Sequence, residues 1–543
     1  MKGRIKRYSG FFILTVFIFI SFSFKSDFFE VAKQIEIYNT LFKELNMYYV
    51  NEINPAELTT KAIKYTLQDL DPYTNYYNEQ DVEEAKIRRE GAYAGVGIST
   101  YYDKKGIIIT EIYKGYSADK NHLKAGDMII KVDGQYLEDM KSDQMSELLK
   151  GAPNSTVEVT VLRNGTSFDI KLTREKITIN PVPFYDLIDE ETGYIVLTQF
   201  SNKASVEVKK AFRKLKERGM KKLVFDLRGN PGGSLLEAIH ISNFFLPKGS
   251  TIVSTKAKVK KWSNTYRAAN TPLDLDIPVI ALINGSSASA SEIVSGALQD
   301  YDRAVIMGVR SFGKGLVQRY RPLSYGAQLK VTISKYYTPS GRCIQELDYA
   351  NRYENGHVPK FSEAGVHTFT TKNGRTVFGG GGILPDVEIK IPEQTSQAEE
   401  LIKSRVIFNY AIAYFNENKE IVEVEKFNFS DADFKKFQNY LTTDTTFITR
   451  QERLFKKAND AVLDSKFIRQ EYNSILKKLT IDKVNQISKN KDVIKELLKE
   501  TIISGYYYKE GVYKNKLRND KVILDAVKLL KDTNRYTYIL LKK

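Results

Sequence analysis

The chain has 543 residues, 42% of them hydrophobic and 12% aromatic, which is enough for roughly two to four domains with sizeable cores and excludes a wholly disordered polymer. The formal net charge is +16, but the lysines are interleaved with Glu and Asp as on solvated helix faces, which argues against nucleic acid as a partner. One cysteine, Cys343, cannot form an intrachain disulfide, and the four histidines (His122, His240, His357, His367) lack metal-ligand spacing, so neither a metal nor a cofactor is expected.

Lys2, Arg4, Lys6 and Arg7 precede GFFILTVFIFISFSF at 10–24, a basic segment followed by an apolar run of secretory-signal type. The run is short against the roughly 20 residues of a full span, and no Ala-x-Ala cleavage site follows. Residues 1–27 are therefore expected to be a signal peptide or an N-terminal membrane anchor, with the protein exported. Residues 28–90 carry two helical patterns, VAKQIEIYNTLFKELNMYYV and PAELTTKAIKYTLQDL, the second opening on Pro55, and are read as an N-terminal helical region.

Between 91 and 175 the period changes to that of short strands. GVGIST, GIIITEIY, MIIKVDG, TVEVTVL and TSFDIKL are separated by Gly, Asp or Asn turns, SDQMSELL supplies one short helix, and the Asn-Gly of RNGT predicts a hairpin between the last two strands. This order resembles a PDZ domain, carried by GVGI at 95–98, LKAGDMIIKVDG at 123–134 and the helix near 141–150. The resemblance implies that a peptide C-terminus adds as a strand beside Gly95, Val96, Gly97 and Ile98, its carboxylate held by backbone N–H groups.

From 176 to 390 strands alternate with amphipathic helices, as in an α/β core. LVFDL and PVIALI are short apolar runs without a polar face, as buried sheet strands are, and each leads through small residues into a helix. Such turns place N–H groups and side chains at the carboxyl ends of strands. NPGG at 230–233 suits an oxyanion-binding loop, because glycines remove Cβ obstruction where two segments approach a developing charge. It is not a phosphate loop, since no Gly-Lys-Ser/Thr follows in frame, and GSSAS does not fit Gly-x-Ser-x-Gly. The serines of NGSSASASEI at 284–293 have no histidine nearby. SFGKGLVQ at 311–318 offers Lys314 between two glycines and Gln318 four residues on: a desolvated amine can accept a hydroxyl proton, and an amide can orient it.

DLRGNPGG, NGSSASASEIVSGALQD, RSFGKGLVQ and LKVTISKYYTPSGRCIQ, with the PDZ-like region before them, resemble the carboxyl-terminal processing peptidases, from roughly residue 30 to 390. The resemblance implies a multidomain fold, a PDZ domain on an α/β serine-peptidase core, and a Ser/Lys dyad assisted by Gln. It assigns Ser289, rather than Ser287 or Ser291, as nucleophile, Lys314 as general base and Gln318 as its orienting residue. The amide of Ala290 and that of Gly232 or Gly233 would form the oxyanion hole. Glu292 is expected only to support the helix N-terminus electrostatically, and Asp226 and Arg228 to brace the glycine loop. Implied substrates are exported or membrane-associated proteins with accessible C-termini, and the implied location is the bacterial periplasm, with inner-membrane attachment if the N-terminal segment is retained.

Two features depart from the shorter family pattern. Residues 346–378 form a charged, aromatic insertion read as a surface excursion, and 391–543 form a mainly helical extension that could brace the core, mediate homo-oligomerisation or bind an adaptor. A noncatalytic PDZ scaffold is disfavoured by the intact Ser289, Lys314 and Gln318. An α/β hydrolase of small esters is disfavoured by the PDZ-like region, which such an enzyme does not need.

Overall fold

The structure, a computed structural model, describes residues 26–79, 81–82, 85–86, 92–353, 356–364, 367–390, 392–444, 446–460 and 466–541. The expected signal or anchor lies outside the described residues apart from its last two positions, and among those described no helix is long and apolar enough to cross a membrane. The chain forms two compact units, one of Met1–Tyr77 with Tyr320–Val331 and the other of Asn78–Arg319 with Thr332–Lys543.

In the first unit lie helices α1 (Ser26–Tyr48) and α2 (Pro55–Gln68) and the short strand β1 (Asn75–Tyr77). Asn54 caps α2, its side chain accepting from the N–H groups of Ala56 and Glu57, and Pro55 occupies the first helical turn, where no N–H is needed. β1 runs antiparallel to residues 328–330.

The second unit opens with the domain that the sequence likens to PDZ. Its strands are β2 (Ala92–Gly95), β3 (Ile98–Asp103), β4 (Gly106–Ile112), β5 (Met128–Val132), β6 (Gln135–Tyr136), β7 (Thr156–Arg163), β8 (Thr166–Thr173) and β9 (Glu175–Thr178), with helices α3 (Ser117–Lys120) and α4 (Ser142–Leu149). Along β7, Val157, Val159 and Val161 are buried while Thr156 and Glu158 face out, the period of two that packs one face of a sheet. Asn164 and Gly165 both adopt positive φ, as the predicted hairpin turn requires. The sheet order β3-β4-β5-β7-β8 leaves β3 on an edge, and β2 pairs with β9, so the domain is entered and left through one antiparallel ribbon.

The α/β core is a six-stranded sheet of β10 (Phe184–Leu187), β11 (Thr192–Val196), β12 (Lys222–Asp226), β15 (Val279–Ile283), β16 (Val305–Gly308) and β21 (Val387–Glu388), parallel except at the β10 edge. β11, β15 and β16 are buried along their whole length, which explains why their sequences show no polar face. Helices α5 (Ala204–Glu217), α6 (Leu235–Asn243) and α7 (Ala290–Asp300) cover one face through a core that includes Phe212, Phe225, Ile239 and Val294. A second sheet packs beside them, in which β13 (Thr251–Ala257) pairs with β14 (Thr265–Arg267) and with the end of β18 (Gln328–Tyr337). β17 (Leu316–Pro322) also pairs with β18.

Most described residues of the insertion lie at or near the surface, as its composition suggests, but the excursion is anchored at one buried point. Its hairpin of β19 (Thr368–Thr370) and β20 (Thr376–Phe378) carries Arg375, which is buried and ion-paired to Asp302 at 2.5 Å and Asp386 at 2.6 Å. A charged residue in a sequence pattern reads as exposed until its partners, here some 70 and 11 positions away, are seen.

The C-terminal region folds as α8 (Ser396–Lys403), α9 (Val406–Glu417), α10 (Asp431–Thr443), α11 (Arg450–Asp460), α12 (Lys466–Ser488), α13 (Lys491–Asn519), α14 (Lys521–Lys531) and α15 (Thr533–Leu541). Helices α8, α9, α10, α12 and α13 share a core that contains Phe434, Phe437, Leu498 and Ile502. Helices α14 and α15 instead cover the open face of the six-stranded sheet, with Ile523, Ala526, Leu530 and Tyr536 packed against Val224, Ile280 and Leu282. The Tyr536 hydroxyl accepts from the Val279 N–H at 3.0 Å and donates to the Val279 carbonyl at 3.1 Å. The extension is thus the missing third layer of the α/β sandwich. It also clasps the PDZ domain: Tyr508 donates to Asp119 at 2.5 Å, Lys509 pairs with Glu111 at 2.9 Å, and a cavity of about 570 Å³ lies between the two surfaces. Tyr508 reaches Asp119 from a non-helical residue inside α13, at φ 57° and ψ −171°.

Candidate active site

β12 and β15 are neighbours, and the loops that leave their carboxyl ends are sewn together. Leu227 N–H donates to Leu282 O at 2.9 Å, Gly229 N–H to Asn284 Oδ1 at 2.9 Å and Ala288 N–H to Asn230 O at 3.0 Å. Two of the serines serve as stitches: Ser287 Oγ donates to Leu227 O at 2.8 Å and Ser291 Oγ to Asn230 O at 2.9 Å. Ser295 Oγ is likewise bound, to Ser291 O, and all three are buried. Ser286 is exposed, which leaves Ser289 as the half-buried serine at the strand-to-helix turn.

Ser289 stands at the N-terminus of α7 with φ 55° and ψ −110°, a conformation in which a residue with a Cβ is strained. From this turn the backbone continues directly into the helix. The turn lacks the Gly-x-Ser-x-Gly spacing, yet the backbone has the sharp bend that such a spacing normally serves. Gly232 explains how the bend is accommodated: a Cβ there would lie 2.7 Å from Ala288 O and 2.9 Å from both Ala290 N and Ser289 Cβ. Only a residue without a side chain fits so close.

The amides around Ser289 divide into engaged and open donors. Gly232 N–H donates to Asn230 Oδ1 at 2.9 Å, while its carbonyl accepts from Phe200 N–H at 3.0 Å. Because the peptide is planar and trans, that carbonyl aims the next N–H, that of Gly233, away from Phe200. Among the described residues neither Gly233 N–H nor Ala290 N–H meets an acceptor. Ala290 is the first residue of α7, where an N–H has no partner within the helix.

Lys314 and Gln318 come from the next loop and from β17, and both are half-buried. Gln318 Nε2 donates to Thr332 Oγ1 at 3.3 Å. What joins the backbones of Ser289 and Lys314 is a residue that sequence reasoning undervalued. Glu292 is fully buried, and one carboxyl oxygen accepts from Ser289 N–H at 2.7 Å and Lys314 N–H at 3.0 Å. The other accepts from Gly313 N–H at 2.7 Å and Ser311 Oγ at 2.6 Å. Burial raises this carboxyl to about 7, against the four donated bonds that favour its ionised form. The signal was present as a Ser followed three residues later by Glu at a helix start, although that spacing does not reveal the second loop. Tyr336 adds a second bridge, its hydroxyl lying 3.1 Å from Ser289 O and 2.6 Å from Lys314 O.

Asp226 and Arg228 form a bidentate pair at the end of β12, with contacts of 2.6 to 3.1 Å, and Tyr194 donates to the same carboxylate at 2.8 Å. In the PDZ domain the loop Gly95–Val96–Gly97–Ile98 lies between β2 and edge strand β3. Val96 O and Gly97 O accept from Ala118 and Tyr113, whereas the Val96 and Gly97 N–H groups meet no acceptor among the described residues. Gly97 takes φ 86°, which turns successive amides toward one side. The Tyr93 hydroxyl donates to Ile98 O at 3.2 Å.

A parallel α/β sheet with a serine turn between glycine-loop amides and a lysine loop, joined to a PDZ domain, defines a serine peptidase equipped to bind peptide ends. The sequence profile of Peptidase family S41 matches residues 191–350, the PDZ domain profile residues 84–162, and that of the probable PDZ-protease C-terminal helical domain residues 397–530. A probable CtpA-like serine protease of Staphylococcus aureus (strain MSSA476) is 30% identical over 463 residues, 84% of this chain and 83% of that protein. The carboxy-terminal-processing protease of Bartonella bacilliformis is 34% identical over 321 residues, 58% of this chain and 73% of that protein. A solved photosystem II D1 C-terminal processing protease is 26% identical, covering 64% of this chain and 91% of its own, with a TM-score of 0.36. The chain belongs to Peptidase family S41 and is a serine protease of the carboxy-terminal-processing kind.

Proposed function

We propose that the protein is an endopeptidase that captures the C-terminal tails of exported or membrane-associated proteins and cuts them by acyl transfer with a Ser289–Lys314 dyad. The observation that carries this reading is the position of Ser289, a half-buried serine in a strained turn beside the open amides of Gly233 and Ala290. In the reaction neutral Lys314 takes the Ser289 proton and the alkoxide attacks the scissile carbonyl. The two amides hold the tetrahedral oxyanion, while Gly232 supplies the clearance that brings them together. Lys314 then protonates the leaving amine and activates water for deacylation. Gln318 orients the Lys314 amine, doing without charge what a carboxylate does for a histidine base. The tail would add antiparallel to β3, with its carboxylate on the Val96 and Gly97 amides. For this the Tyr93 hydroxyl must yield Ile98 O to the incoming strand. The basic and apolar residues 2–24 support export to the periplasm, with membrane attachment if the segment is kept.

The test is to incubate the purified protein with a soluble protein bearing an apolar C-terminal tail, beside Ser289→Ala and Lys314→Ala variants, and to weigh the products by mass spectrometry. The expected result is internal cleavage by the parent alone. Equal cleavage by parent and variants would remove the dyad. Amidating the substrate's terminal carboxylate should raise KM at least severalfold, and an unchanged KM would remove the tail-reading role of Gly95 to Ile98.

A further inference from the structure

Asp520 sits at the junction of α13 and α14, and its two carboxylate oxygens have separate tasks. Oδ1 caps α14, accepting from Val522 N–H at 2.9 Å and Ile523 N–H at 3.3 Å. Oδ2 crosses from the C-terminal helical domain to the peptidase core and pairs with Arg228 Nη1 at 2.8 Å, with both side chains largely shielded from water. Arg228 is therefore held at both ends of its guanidinium: Nε and Nη2 by Asp226 and Nη1 by Asp520. A planar guanidinium fixed by two carboxylates has little rotational freedom, and its backbone begins the turn Arg228–Gly229–Asn230–Pro231–Gly232–Gly233.

Three later residues of that turn are held by the serine loop or by one another. Gly229 binds Asn284, Asn230 receives Ala288 and Ser291, and Asn230 Oδ1 holds Gly232. Arg228 is one of the points at which this chain of contacts meets the sheet, beside the Leu227–Leu282 and Phe200–Gly232 bonds, and Asp520 is a contribution to it from the C-terminal helices.

We propose that Asp520 is a positioning residue for the oxyanion loop, supplied by the C-terminal helical domain and acting through Arg228 on the amide of Gly233. The proposal rests on the active-site reading above. An aligned amide matters most when negative charge develops, so loss of the Asp520–Arg228 pair should lower kcat and leave substrate binding nearly intact.

Asp520→Asn separates the two tasks, because Asn caps a helix about as well as Asp but cannot pair with a guanidinium by charge. The expected result is a roughly tenfold fall in kcat with KM within about twofold. Affinity for a peptide boronic acid, which places a tetrahedral oxygen in the oxyanion site, should fall by the same factor, with the thermal midpoint held near the parent value. Asp520→Ser, another good cap, is the second variant should the amide disturb folding. Parent-like kcat in both variants would overturn the proposal. So would a fall in kcat that only tracks loss of folded protein, since that is a purely structural effect. Ser289→Ala is assayed in parallel. If it retains activity, the active-site reading itself fails; if it is inactive while Asp520→Asn is fully active, only the role of Asp520 is lost.

Discussion

At the scale of single residues the site depends on two features that leave no room for substitution. Gly232 has φ 97° and lies where a Cβ would press into the Ser289 turn. Gly232→Ala should therefore cut kcat by at least about a hundredfold and cost roughly 1–3 kcal/mol of stability, measurable by steady-state kinetics and denaturant unfolding. Glu292 is the second. Its carboxyl is raised to about 7 from an ordinary 4.5, so between these values the folded protein keeps a proton that the unfolded chain has released. Stability from this group is thus full below the unfolded value and is lost as pH rises through about 7. Activity runs the opposite way, because only the ionised carboxylate accepts all four bonds that join the serine and lysine loops. Lowering the pH from about 8 to 6 should depress kcat severalfold without an accompanying loss of stability from this site. Glu292→Gln, whose own N–H₂ meets donors, should be poorly active at every pH and should lose this opposed trend. Thermal unfolding and kcat measured across that range on both proteins make the comparison.

At the scale of elements, the dependence of the sheet on the far end of the chain is concentrated in α15. Tyr536 satisfies both backbone groups of Val279 at the start of β15, the strand that leads to Ser289. Tyr536→Phe would leave two buried polar groups without that partner and should cost about 1–3 kcal/mol, read from a denaturant midpoint. Much of the architecture was legible because local rules govern it: the alternation in β7, the Asn164–Gly165 turn and the apolar run of β15 each report their own environment. What stayed hidden is non-local. Arg375 reads as a surface charge until Asp302 and Asp386 are beside it, and the amphipathic pattern of α14 shows an apolar face without saying which sheet it covers. In the site, the serine turn and glycine loop could be located from spacing, and a family motif selected Ser289. The bridges through Glu292 and Tyr336 join segments separated by 22 and 47 positions and have no periodicity to betray them. The engagement of the Gly232 amide by Asn230 is similarly a matter of backbone direction rather than residue type.

At the scale of the whole second unit, the C-terminal helices do two things at once, completing the peptidase sheet through α14 and holding the PDZ domain through α13. These duties should separate experimentally. Tyr508→Phe removes the hydrogen bond to Asp119 but leaves the helix cores intact, so hydrogen exchange should quicken at α3 and around Tyr508 while the protection of β12 and β15 is unchanged. Uniform loss of protection would show instead that the two duties are inseparable. The backbone at Tyr508 adds a mechanical consequence. A bulky residue at φ 57° and ψ −171° costs on the order of 1–3 kcal/mol, which offsets part of what its bond to Asp119 contributes. Release of the PDZ domain is therefore cheaper than its contacts alone suggest, and the clasp works as a sprung catch rather than a weld.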